Sequence, residues 1–110
     1  MTFENIMDKV LAFRQYRNWE QFHNPKDLAI SINLEAAELL ELFQWSGEDL
    51  EVSKHHATMA EELADIIIYC IYFADSIDVD LIEAINNKID INEHKYPVEK
   101  SRGNSKKYTE

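Results

Sequence analysis

Four carboxylates stand out for their spacing. Glu35 and Glu38 form one pair three residues apart, and Glu62 and Asp65 form a second. On a helix, residues at that spacing point to one side. At ~100° per residue, from ~3.6 residues per turn, Glu35 falls in the sector of Leu28, Ile32, Leu39 and Leu42. Glu62 falls with Met59, Ile66, Tyr69 and Phe73. The carboxylates therefore lie on, or at the edge of, faces that a folded helix buries. A buried carboxylate must be protonated, paired with a base or bound to a cation. Neither word contains Lys or Arg. Four converging carboxylates without basic partners suit a hard divalent cation, and magnesium fits best.

Helices must carry these words, and the flanking sequence supplies them. Phe3, Ile6, Met7, Val10 and Phe13 or Arg14 fit one stripe of a first helix that ends near Arg17-Asn18. Trp19 to His23 lacks periodicity and reads as a loop. Asn24 can cap a second helix, with Pro25 at its first position and Asp27 in its first turn. That helix is expected from Pro25 to about Trp45, with Gly47 as terminator. Glu41 is rotated farther off the apolar sector and reads as a flanking or solvent-facing group. Ser46 to His56 is a polar connection, and the adjacent His55 and His56 point apart on a helix, as a surface pair. A third helix spans about Ala57 to Ser76. Its half from Ile66 to Ala74 is apolar almost all round, as in a helix enclosed by neighbours, some of them from another subunit. Cys70 reads as a small buried apolar residue. Asp78 or Asp80 starts a fourth helix through about Glu93, with Leu81, Ile82, Ile85, Ile89 and Asn92 inward. Tyr96-Pro97 ends it. Lys88 and Asn92, four apart, share a face as a pair of donors for an anion, or simply meet solvent.

The chain of 110 residues reads as one all-α, four-helix bundle-like domain over residues 1–97, with a basic tail over 98–110. Two glycines and two prolines are too few for the turns of an all-β fold. A single cysteine forms no internal disulfide and fits a reducing cytoplasm. No signal peptide is visible, and the Ile66–Ala74 run is far shorter than the ~20 residues that span a bilayer. The formal net charge is −10; Lys95 to Glu110 carries a balance of +3, so the remainder carries −13. So acidic a body argues against binding nucleic acid polymers, which needs a basic face.

The ordered set of motifs resembles the all-α nucleoside triphosphate pyrophosphohydrolases, the MazG-like superfamily, and within it the dCTP pyrophosphatase branch. Glu35-x-x-Glu38 followed by Glu62-x-x-Asp65 is the core of the likeness. Trp19-Glu20-Gln21-Phe22-His23-Asn24-Pro25, Glu38 to Trp45, Lys88 to Asn92, Tyr96-Pro97 and Ser105-Lys106-Lys107-Tyr108 extend it over nearly the whole chain. The resemblance implies hydrolysis between the α- and β-phosphates, giving a monophosphate and pyrophosphate. It implies Glu35, Glu38, Glu62 and Asp65 as magnesium ligands, and Trp19, His23, Trp45 and Tyr69 as the walls of a base and sugar pocket. It implies Lys88 and Asn92 as polar groups near the nucleotide, and a homodimer or homotetramer. Where the related branch can carry a histidine in the first helix, this chain has Val10 and Leu11.

Elementary chemistry agrees with that expectation. Carboxylates repel a triphosphate, and a bound magnesium ion reverses the local sign. Glu38 or Glu62 could then accept a proton from an attacking water. Arg102, Lys106 and Lys107 in the tail either fold over the phosphates when substrate binds or belong to a solvated, frayed terminus. A di-iron carboxylate bundle would need Glu-x-x-His words, which are missing here. A non-enzymatic helical adaptor would have no need of acidic pairs on apolar faces.

Overall fold

The computed structural model describes residues 1–107 and Thr109. Tyr108, part of the tail motif named above, lies outside the described residues. Among those residues every regular element is helical: α1 (Phe3–Tyr16), α2 (Pro25–Glu41), α3 (His56–Ser76), α4 (Leu81–Lys95) and α5 (Val98–Ser101), with 3-10 turns at Glu20–Phe22 and Ser53–His55. The chain forms two compact units, Met1–Asp78 and Val79–Glu110.

Local chemistry explains most of the helix starts. The Thr2 hydroxyl accepts from the Asn5 N–H while the Asn5 side chain accepts from the Thr2 N–H, so two unpaired donors at the start of α1 are satisfied together. The Asn24 side chain accepts from the Asp27 N–H, with Pro25 at the first helical position of α2. The Asp80 side chain does the same for the Glu83 N–H at α4.

The end of α2 differs from expectation. The helix stops at Glu41 rather than Trp45, and residues 42–45 continue as turns. Trp45 itself takes the left-handed backbone, φ 67°, so the reversal falls on it before Gly47 is reached. Farther along, Val52 is buried at φ 43°, a strained setting for a β-branched residue. Its N–H and that of Glu51 both donate to the Asp49 carboxylate, which fixes the chain just ahead of α3. The short α5 after Pro97 was not foreseen from the sequence.

In the first unit α3 packs chiefly against α2 and also against α1. The core is small: Leu28, Val52, Ile71, Tyr72 and Ala74 are buried, with Arg14 among them. The apolar half of α3 is less enclosed than its composition predicts, since Ile67 is exposed and Cys70 is half-buried. On α2, Ile30, Leu34 and Leu40 are exposed as well. His56 is exposed and His55 half-buried. In the second unit Leu81 and Ile82 are half-buried, whereas Ile85, Ile89 and Asn92 are exposed rather than inward.

Candidate active site

The two acidic words meet because α2 and α3 pack side by side. Among the described residues, Glu35 of α2 and Glu62 and Asp65 of α3 each bring a carboxylate oxygen within 4.8 Å of the others. Glu35 and Glu62 are half-buried, and Asp65 is exposed. One oxygen of Glu35 and one of Glu62 are buried with no hydrogen-bond partner. The carboxyl of Glu35 is held above its usual range by loss of water, then by proton sharing with Glu38 and the charges of Glu38, Asp65 and Glu62. That of Glu62 is raised by proton sharing with Glu38, then by desolvation and the charges of Glu38, Asp65 and Glu61. Glu38 is exposed and stands beside both Glu35 and Glu62, at the margin of the tightest trio. Hard oxygen donors, two of them orphaned in a partly dry site and no basic neighbour within the trio, fit a divalent cation. No histidine belongs to that group.

Asp65 also belongs to a second feature. A cavity of about 340 Å³ between α1 and α3 is lined by Ile6, Lys9, Val10, Phe13, Trp19, Asp65, Ile68, Tyr69 and Tyr72. Its walls are mainly apolar and aromatic, with a carboxylate of the acidic cluster at the edge. Trp19 stands edge-on to Phe13, ring centroids 5.8 Å apart, and the Arg17 guanidinium lies 3.6 Å from the Phe13 ring centroid. Tyr69 meets Tyr72 edge-to-face at 5.7 Å. A planar apolar group would find stacking partners here, and its polar end would lie toward the carboxylates.

The structure brings together Glu35, Glu62 and Asp65, with Glu38 adjacent, and gathers Trp19 and Tyr69 at the cavity. His23 does not line the cavity. Its ring lies 4.8 Å from that of Tyr72, and its Nδ1 is buried without a partner. Burial, then the nearby Arg14 charge, push its pKa below 6.5. Trp45 is 92 % exposed and is not part of the cavity wall. Lys88 and Asn92 lie exposed on α4, and Arg102, Lys106 and Lys107 are exposed in the chain from α5 onward, all within the second unit.

Several wall residues were missed in the sequence, among them Lys9, Phe13, Ile68 and Tyr72. Phe13 was read only as part of a helix stripe, and Lys9 and Tyr72 were not singled out. A signal was available for Tyr72, because Asp65, Tyr69 and Tyr72 follow helical spacing from the acidic word. Arg14, buried beneath Tyr72 and paired with Asp75, could have been suspected as a charged residue in an apolar stripe.

Comparison with known proteins fits this geometry. The model of the MazG-like family matches residues 30–110. Mouse dCTP pyrophosphatase 1 is 40 % identical over 99 % of this chain and 67 % of its own length. The human dCTP pyrophosphatase 1 gives the same identity and coverage. A crystal structure of a pyrophosphatase from Archaeoglobus fulgidus DSM 4304 is 43 % identical, superposes with a TM-score of 0.77, and covers 86 % of this chain and 91 % of its own. With the family model matching well over half its length and with such relatives, the chain belongs to the MazG-like family.

Proposed function

We propose that this protein hydrolyses nucleoside triphosphates, dCTP or a related pyrimidine nucleotide first, between the α- and β-phosphates to give a monophosphate and pyrophosphate. The observation that carries the reading is the double membership of Asp65. It joins Glu35 and Glu62 in a cluster suited to a cation, and it also lines the aromatic cavity. A nucleotide can therefore place its base between Trp19 and Tyr69 while its phosphates reach the carboxylates. The names of the mouse and human relatives support the choice of dCTP.

Glu35, Glu38, Glu62 and Asp65 would hold magnesium, which when bound supplies positive charge for the phosphate oxygens and acidifies a coordinated water. The chain's own groups do the rest. Glu38 or Glu62, whichever keeps an oxygen free, accepts the proton of the attacking water. The cavity walls exclude water from the base and fix the sugar's direction. The family likeness would add Lys88, Asn92, Arg102, Lys106 and Lys107 as donors for the triphosphate. The exposed apolar residues of α2 and α3 support assembly as a homodimer or homotetramer. No helix among the described residues is long and apolar enough to cross a membrane.

The test is product analysis on dCTP with magnesium. Stoichiometric pyrophosphate and dCMP are expected. Orthophosphate released ahead of dCMP, through a diphosphate intermediate, would overturn the bond assignment.

A further inference from the structure

The cavity runs along one stripe of α3, through Asp65, Ile68, Tyr69 and Tyr72. Seven residues of helix rise separate Asp65 from Tyr72, about 10 Å, comparable to one nucleoside laid lengthwise. The ring at that far end is held from several sides. Tyr72 is 4 % exposed although it lines a cavity. The Arg14 guanidinium lies 5.3 Å from its ring centroid, the His23 ring 4.8 Å away, and the Tyr69 ring 5.7 Å away, edge-on. Arg14 is itself tied to Asp75, on the next turn of α3 beyond Tyr72. A close-packed ring with neighbours on these sides cannot swing aside without breaking contacts, so it forms a fixed wall rather than a compliant one.

We infer that Tyr72 closes the base end of the cavity and selects one-ring bases by length, with Arg14 and His23 as positioning residues behind it. This rests on the proposed hydrolysis of nucleoside triphosphates and deepens it. A purine is longer than a pyrimidine by a fused ring. To fit, it must either displace Tyr72 or draw the phosphates away from the acidic cluster. Forcing extra atoms against a packed wall is unfavourable, and the discrimination expected from such a clash is at least about tenfold.

The experiment measures kcat/KM for dCTP, dUTP, dATP and dGTP with wild type, Tyr72→Phe and Tyr72→Ala, beside binding of dCMP and dAMP followed by tryptophan fluorescence. Wild type should favour both pyrimidines over both purines by about tenfold or more. Tyr72→Phe keeps the ring and should keep that ratio. Tyr72→Ala should raise relative purine use about tenfold, mainly through a lower KM for dATP and dGTP, and should tighten dAMP relative to dCMP. An unchanged purine-to-pyrimidine ratio in Tyr72→Ala overturns the inference. If Tyr72→Ala does not fold, Tyr72→Leu replaces it, and equal use of dATP and dCTP by wild type overturns the inference without any variant. Absence of turnover on all four triphosphates would instead overturn the reaction itself, so the two failures are distinguishable.

Discussion

Glu35 on α2 and Glu62 on α3 face one another across the helix pair, and each keeps a buried carboxylate oxygen without a hydrogen-bond partner. Two such groups side by side oppose folding unless something neutralises them. Magnesium binds the folded cluster and has little hold on the unfolded chain, so it should raise the melting temperature. At a hundredfold excess over the dissociation constant the gain is ~2.7 kcal/mol. Glu62→Gln removes one repelling charge and keeps the shape. In chelator it should melt no lower than wild type, gain less from magnesium, and lose most turnover. Identical wild-type melts in chelator and magnesium would remove the metal site.

The same pair fixes a pH dependence. In the folded state Glu35 and Glu62 take up protons above their ordinary value of 4.5. The folded protein then binds more protons than the unfolded chain, so this part of its stability rises as pH falls through the folded-state values and is complete below 4.5. His23 acts the other way. Its folded pKa lies below 6.5, so its contribution is lost as pH drops from 6.5 through the folded value. Magnesium holds the carboxylates ionised and removes the first effect only. The melting difference between magnesium and chelator should therefore shrink as pH falls from neutral toward 4.5. Calorimetry at several pH values checks this, and a difference that widens in acid would contradict it.

The acidic words were legible in the sequence because four carboxylates on apolar helical faces violate the ordinary rule for burial. Capping at Asn24 and Asp80 was legible for the same local reason, a side-chain acceptor just ahead of periodic residues. Trp45 was not. Its position follows from where α2 stops, and that depends on the left-handed turn at Trp45 itself, which no periodicity announces. His23 was named for the cavity and lies behind its wall instead. The distinction depends on Tyr72 filling the space between them, a contact between residues 49 positions apart. The exposure of Ile85 and Ile89 escaped notice because a helical stripe records which face is apolar without saying what covers it.

Trp45 offers a clean separation of stability from function. At 92 % exposure its ring contributes little packing to its own chain. Trp45→Ala should change the chain's unfolding free energy by less than about 0.5 kcal/mol. If the exposed ring meets substrate, turnover of triphosphate should still fall by roughly tenfold, given ~1–3 kcal/mol for stacking a base on an aromatic side chain. Urea melts beside steady-state kinetics make the comparison. A large loss of stability would show that the ring is packed in a way its exposure hides.

The Arg14–Asp75 pair allows a sharper contrast. Arg14 has an 8 % exposed side chain, Asp75 a 45 % exposed one, and the Arg14 Nε has no partner. Asp75→Asn takes away the charge that balances a buried guanidinium. Because Asp75 is half in water, solvent already screens the pair, and the expected loss is about 1–2 kcal/mol rather than the larger figure for a fully buried pair. Arg14→Met removes the cation instead and fills the space with an apolar chain of similar reach. Replacing a buried charge in this way is often neutral, so the variant should melt higher than Asp75→Asn. It leaves Tyr72 without the guanidinium beside its ring, however, and should raise KM for triphosphate while the fold holds. Chemical denaturation and kinetics on the two variants check both halves. If Arg14→Met is the less stable of the two, the guanidinium contributes more through packing against Tyr72 than its uncompensated charge costs.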